Sequence, residues 1–408
     1  MIIIYNIFIS FYGFLIKLYS NINVKAGQWI KGRKDLFHKI KSELNENDRI
    51  VWFHCSSLGE FEQGRPLIEE FRKKYHEYKI VLTFFSPSGY EIRKNYKGAD
   101  YIYYLPIDTK ENAKQFIELI NPEKVFFIKY EYWYHFLHEL YLRKIPVYII
   151  SAKFRTEQHF FKFYGIWFRK MLHFITHFFV QDEESKDLLI SIGILNVTVT
   201  GDTRFDRVKE VMDSNMDFNQ IRNFKKNYPV FIAGSTWLKD EALIINYINE
   251  SNNSLKYIIA PHEINPDRID FLIKQIKKKA IKYSELGNEN VEEFDVIIVD
   301  TIGILAYLYK YGDIAYIGGG FGKGIHNILE AAAFGLPLMF GYNYTRFKEA
   351  KDMVRLNGAF SVHTQEDFCK KLNDFTSDKQ LLINTGKICK EYVANNVGAT
   401  MKILENLN

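Results

Sequence analysis

At 408 residues the chain is longer than one hydrophobic core usually supports, so two domains are expected. Its 47% hydrophobic and 25% charged content is that of a globular protein and excludes extensive disorder. The net charge of +5 is small for this length, with lysines spread along the chain, which argues against a dedicated nucleic-acid surface. Cys55, Cys369 and Cys389 are too few and too scattered for a disulfide framework or a zinc site, and fit a reducing cytoplasm.

The first segment, "MIIIYNIFISFYGFLIKLYS", is apolar up to Lys17 and lies near the lower length limit for a spanning helix. No basic residue precedes it and no small-residue cleavage site follows, so a cleaved signal peptide is not expected. Lys17, Lys25, Lys31, Arg33 and Lys34 all come after it, which keeps the remainder on the cytoplasmic side. Residues 1–22 are therefore expected to be a membrane anchor or an interfacial helix.

From residue 50 short apolar runs alternate with helical stretches. "RIVWFHCSS", "KIVLTFFSP", "YIYYLPI", "KVFFIKY", "PVYIISA" and "HFFVQD" read as strands, with helices such as "FEQGRPLIEEFRKKY" between them. A second series, "VFIAGST", "KYIIAP", "VIIVD", "IAYIGGG" and "PLMFG", follows a polar stretch near residues 205–228. This order implies two parallel-sheet α/β domains, residues 23–210 and 228–390, facing a central cleft, with 391–408 as a terminal helix or tail.

Three places carry candidate chemistry. After the first strand, "HCSSLGEFEQGRP" sets Ser57 and Gly59 at a helix start with Glu60 in its first turn, where capping alone would favour a carboxylate and where a general base could also stand. In the second series, "FIAGSTWLKDE" places Ser235 and Thr236 before a helix, and "IIAPHEINPDRI" places His262 and Arg268 just past a strand. Finally, "GGGFGKGIHNILEAAAFG" puts Gly319, Gly320, Gly322, Lys323 and Gly324 in a loop between a buried strand and a helix expected to carry His326, Asn327 and Glu330, with His326 and Glu330 on one helix face. Bare backbone there lets amide groups and a helix dipole approach a phosphate; a tight turn that binds nothing is the alternative. No P-loop, zinc-helix or Ser-His-Asp pattern is present, and no strand-end acid stands at dinucleotide spacing. A nucleotide-sugar glycosyltransferase is the most economical enzyme reading.

The segments "KAGQWIKGRKDLF", "HCSSLGEFEQGRPLIE", "KYEYWYHFL", "VTGDTRFDRV", "AGSTWLKDE", "APHEINPDRI" and "DTIGILAYLYKYGDIAYIGGGFGKGIHNILEAAAFGLPLMFG" together resemble the 3-deoxy-D-manno-octulosonic acid (Kdo) transferases of lipid A biosynthesis, particularly the Bacteroidetes type. The resemblance runs from about residue 25 to 350 and also covers the short N-terminal anchor.

It implies a GT-B fold, with the donor CMP-Kdo held by the C-terminal domain and the lipid A precursor (lipid IVA) presented at the inner membrane surface, cytoplasmic face. It further implies inverting transfer with neither metal nor cofactor and no nucleic-acid partner. Carried onto this chain, Ser235, Thr236, His262, Arg268, the glycines 319, 320, 322 and 324, Lys323, His326, Asn327 and Glu330 are donor-binding. Ser57, Gly59 and Glu131 are assigned to the acceptor. Many family members have an acid, proposed as general base, within the segment matching "QWIKGR"; this chain has Lys31 and no carboxylate between Lys25 and Arg33, so Glu60 becomes the expected base. Two rivals remain: another GT-B enzyme using a UDP-sugar, and a membrane-anchored homologue without catalysis.

Overall fold

The computed structural model describes residues 1–287 and 290–407. The chain divides into two compact units: Met1–Arg207 together with the chain from Val397 onward, and Val208–Asn396.

The first unit is built on seven strands: β1 Arg49–Cys55, β2 Tyr78–Phe84, β3 Tyr101–Tyr104, β4 Pro122–Ile128, β5 Val147–Ala152, β6 His177–Val180 and β7 Val197–Val199. They pair in parallel in the order β3-β2-β1-β4-β5-β6-β7. Both faces are covered, so the strands read as unbroken apolar runs while their side chains still alternate. Trp52 of β1 packs with Phe116, Phe127 and Phe136 on one face. Its neighbour Phe53 stacks on Phe126, 4.7 Å between centroids, on the other. The chain returns to this second face at its end: helix Ala399–Glu405 buries Ile403 and Leu404 there. Asp206 fixes that return by accepting from Gly398 N (2.6 Å) and Thr400 N (2.7 Å).

The second unit repeats the plan with β8 Val230–Thr236, β9 Lys256–Pro261, β10 Ala280–Lys282, β11 Val296–Ile298, β12 Ile314–Ile317, β13 Leu338–Gly341 and β14 Ala359–Val362. The parallel order is β10-β11-β9-β8-β12-β13-β14. These two sheets are the expected pair of GT-B Rossmann-like folds. In each, the order reverses once beside its first strand, between β1 and β4 and between β8 and β12, and such a switch point is where an open α/β sheet leaves a crevice at its strands' carboxyl ends.

The N-terminal helix, Ile2–Tyr19, has a mean hydropathy of 1.7 and is long and apolar enough, by length and composition, to cross a membrane.

Candidate functional site

At the switch point of the second sheet, β8 ends in Gly234, Ser235 and Thr236, and Ser235 takes a left-handed φ of 53° that turns the chain sharply. Gly318 N donates to Gly234 O (2.9 Å), which lays the glycine-rich loop against that turn. The approach is so close that a Cβ on Gly318 would fall 2.2 Å from Ser235 O, and one on Gly320 would fall 2.5 Å from Gly341 N. Part of the bare backbone is thus required by the packing of β8, the loop and β13.

Asp240 locks the arrangement from below. It is buried in the first turn of helix Leu238–Glu250, where Oδ2 accepts from Trp237 N and Gly319 N (both 2.9 Å) and Oδ1 accepts from the Tyr316 hydroxyl (2.7 Å). Next to it, buried Glu241 accepts from Thr236 Oγ1 (2.9 Å) and from Arg268 Nη2 (2.6 Å). Thr236 is fully buried, so its hydroxyl serves Glu241, and helix Leu238–Glu250 is capped from Trp237. Arg268 stands near the start of helix Pro266–Gln275, where Asn265 caps its N–H (3.2 Å). Arg268 Nε and Glu241 Oε2 are buried without a hydrogen-bond partner among the described residues.

Above this ion pair three flat rings form a stack. His262 and His326 lie 4.2 Å apart and Trp237 stacks on His262 at 4.8 Å. Trp237 Nε1 donates to His326 Nε2 (3.0 Å), which fixes the neutral tautomer with its proton on Nδ1. Burial, reinforced by His262, pushes His326 down to about 4, and burial also lowers His262. Both imidazoles are therefore largely uncharged at neutral pH, and the stack is a flat, uncharged platform.

The loop departs from the sequence expectation in one respect. The helix after it covers only Leu329–Ala333, so His326 and Asn327 belong to the loop, and the helix face expected to join His326 and Glu330 does not form. The cause is local: Asn327 turns its amide inward, donating to Glu330 Oε1 (3.0 Å) and accepting from Leu329 N (3.1 Å). A helix dipole aimed from the glycines is accordingly absent. Gly319 and Gly324 carry left-handed φ values of 92° and 135°, and Gly322 and Lys323 sit exposed at the tip.

At the switch point of the first sheet the chemistry is acidic. Ser57 caps helix Leu58–Lys74; Glu60 Oε2 accepts from Ser57 N (3.1 Å) and from its hydroxyl. Glu131, just past β4, is buried, and its Oε2 accepts from Trp133 Nε1 (2.7 Å) and pairs with His54 Nε2 (3.2 Å). His54 lies fully buried near the end of β1 with its Nδ1 2.8 Å from Thr83 Oγ1. Burial, then Glu60, Glu131 and Glu62, hold the Cys55 thiol well above its usual range, a sign that these carboxylates gather around one strand end. The "QWIKGR" segment brings no acid: Lys31 is exposed, and the Arg33 guanidinium is caged, 3.8 Å over Trp29 and bonded to the carbonyls of Leu105, Phe85 and Trp29. Burial pulls Arg33 down to about 9.

The structure thus brings Glu60 and Glu131 to one sheet end, and the predicted donor residues from Ser235 to Glu330 to another. Trp237, Asp240, Glu241 and His54 were missed. The first three stand within "STWLKDE", where two acids in a first helical turn look like ordinary capping, and partners up to 79 residues away leave no local signal.

Residues 31–207 match the family described as 3-deoxy-D-manno-octulosonic-acid transferase (kdotransferase). A bifunctional glycosyltransferase/methyltransferase of Fusobacterium nucleatum subsp. nucleatum is 26% identical over 82% of this chain and 54% of its own length, so the chain spans about half of that relative. A 3-deoxy-D-manno-octulosonic acid transferase of Haemophilus influenzae is 26% identical over 88% of this chain and 86% of its own. Among solved structures, a UDP-GlcNAc 2-epimerase from Neisseria meningitidis bound to UDP-GlcNAc superimposes with a TM-score of 0.63 at 18% identity, covering 87% of this chain and 98% of that one; it shares the fold.

Proposed function

Because residues 31–207 match the Kdo transferase family model and the chain has the two-sheet GT-B fold, we propose that it is a member of that family and transfers Kdo from CMP-Kdo to the lipid A precursor, lipid IVA, at the cytoplasmic face of the inner membrane. The observation that carries the reading is the second unit's switch point, where a neutral ring platform, a glycine loop and a part-buried arginine stand at adjoining strand ends. A flat uncharged platform suits a nucleobase, loop amides and Lys323 suit a phosphate, and Asn327 with Glu330 suits ribose hydroxyls. Arg268 supplies positive charge to the donor's phosphate or carboxylate, which Ser235 at the end of β8 also addresses; Glu241 and the Thr236 carbonyl hold the guanidinium in place.

The transfer is inverting and needs no metal in this reading. A base takes the proton of the acceptor's primary hydroxyl. Its oxygen bonds to the anomeric carbon of Kdo as the bond from that carbon to the CMP phosphate oxygen breaks, and CMP leaves with the electron pair. Groups that meet the charge growing on CMP act hardest in the transition state. Glu60 is the proposed base: Ser57 engages its Oε2 and orients the carboxylate, while Oε1 is the oxygen to receive the proton. Glu131, oriented by His54 and Trp133, contacts the acceptor together with Ser57 and Gly59. Thermal unfolding with nucleotides tests the donor: CMP should raise the melting temperature and UDP should not, and the reverse result favours a UDP-sugar enzyme.

A further inference from the structure

The N-terminal helix is tied to the first unit through its leading end. The Tyr5 hydroxyl donates to Asp108, a buried carboxylate that also accepts from His135 N (3.1 Å) and Phe136 N (3.0 Å). Asn6 Oδ1 lies 2.7 Å from His135 Nε2. Further along, Ile9 is buried, the Tyr12 ring stacks on Phe85, and Gly13 comes so near Ile107 that a Cβ would sit 2.7 Å from its Cδ1. Crossing a bilayer takes about 20 apolar residues, and it would carry the start of this 18-residue helix to the far side. Those first turns are the ones bonded to the domain. Spanning would strip Asp108 of its hydroxyl donor and expose His135 and Phe85.

The opposite face is apolar and open: Ile4, Ile7, Phe8, Phe11, Leu15 and Leu18, which recur at helical spacing, are all exposed. The Tyr5 ring also meets Trp167 at 5.6 Å, which sets the helix beside the turn before Trp167. There Phe163 is 89% exposed and Ile166 63% exposed, with Tyr164 between them. Charge follows the same geography. Residues 1–34 contain no acid, and besides the caged Arg33 they present four exposed cations, Lys17, Lys25, Lys31 and Lys34. Residues 159–171 add Lys162, Arg169 and Lys170, again with no acid.

We propose that the outer face of this helix and the turn Phe163–Ile166 form a single surface seated on an anionic bilayer, with the helix lying in the membrane plane and the turn as a second point of insertion. Apolar side chains ringed by cations are what such an interface takes. The proposal draws nothing from the transfer reaction, so its test needs no activity.

Full-length protein carrying Phe163→Glu and Ile166→Glu, both exposed positions, should keep its melting temperature. It should partition at least tenfold more weakly than wild type onto vesicles of phosphatidylethanolamine and phosphatidylglycerol. In sealed inner-membrane vesicles with the cytoplasmic face outward, an epitope placed ahead of Met1 should be cut by added protease without detergent. Unchanged partitioning of the double variant overturns the second contact, as does a change confined to self-association in detergent. Protection of the epitope until detergent is added overturns the in-plane helix.

Discussion

The two sheets share a topology and differ in what their switch points hold. At β1 and β4 the strand ends gather carboxylates, with Glu131 held by His54 and Trp133, and Glu60 held by Ser57. At β8 and β12 they gather glycine backbone, two neutral imidazoles, an indole, and an arginine whose charge is met by Glu241. Topology fixes where a ligand can sit; the side chains decide its charge. One end suits a group that must lose a proton, the other a group that arrives as an anion.

The sharpest way to break this contrast is to remove Glu241. Glu241→Ala leaves a part-buried guanidinium and the fully buried Thr236 hydroxyl without their acceptor, and should cost about 3 kcal/mol of stability or somewhat more, read by chemical denaturation. A cost under about 1 kcal/mol would mean that Arg268 turns readily to solvent and is not fixed by this pair.

Asp108 is the most deeply buried carboxylate described in the first unit, and its test is pH. Burial raises its carboxyl to about 6, against the hydrogen bonds from Tyr5, His135 and Phe136, so the folded state favours the proton. A raised pKa gives stability that is complete below the unfolded value near 3.8 and is lost as pH rises through 6. The stability of wild type minus that of Asp108→Asn should therefore fall by something on the order of 3 kcal/mol between pH 4 and pH 7. A flat difference would show Asp108 ionised in the fold throughout.

Glu60→Gln asks which acid of the first unit works as base. Turnover should drop by roughly a hundredfold or more with melting and CMP affinity retained; near-normal turnover would move the role to Glu131. The smallest effect is expected at the ring platform. Trp237→Ala should weaken CMP binding by about 1 to 3 kcal/mol by calorimetry, the usual worth of one stacked base. Unchanged affinity would take the stack out of the donor site.

Much of this architecture could be read from the sequence. Eleven strand runs, from "RIVWFHC" to "PLMFG", are where the apolar pattern puts them. The three not foreseen, β7, β10 and β14, are three or four residues long and lie at sheet edges. Edge strands are commonly short, and three residues carry no usable period. His262 and His326 could be picked out singly because each follows a strand, yet their stacking at 4.2 Å joins positions 64 residues apart, 262 and 326, and has no local signature. The shortened helix after the glycines has a similar origin: "HNILEAAAFG" is helical by composition, but the Asn327 side chain competes for the backbone and delays the start to Leu329.

The most direct test of the central claim is to incubate the purified full-length protein with lipid IVA and either CMP-Kdo or a UDP-sugar, and to weigh the lipid product. With CMP-Kdo the lipid should gain the mass of one or more whole Kdo residues, and with the UDP-sugar it should gain none. An unchanged lipid mass with CMP-Kdo, from protein that melts normally, would contradict it.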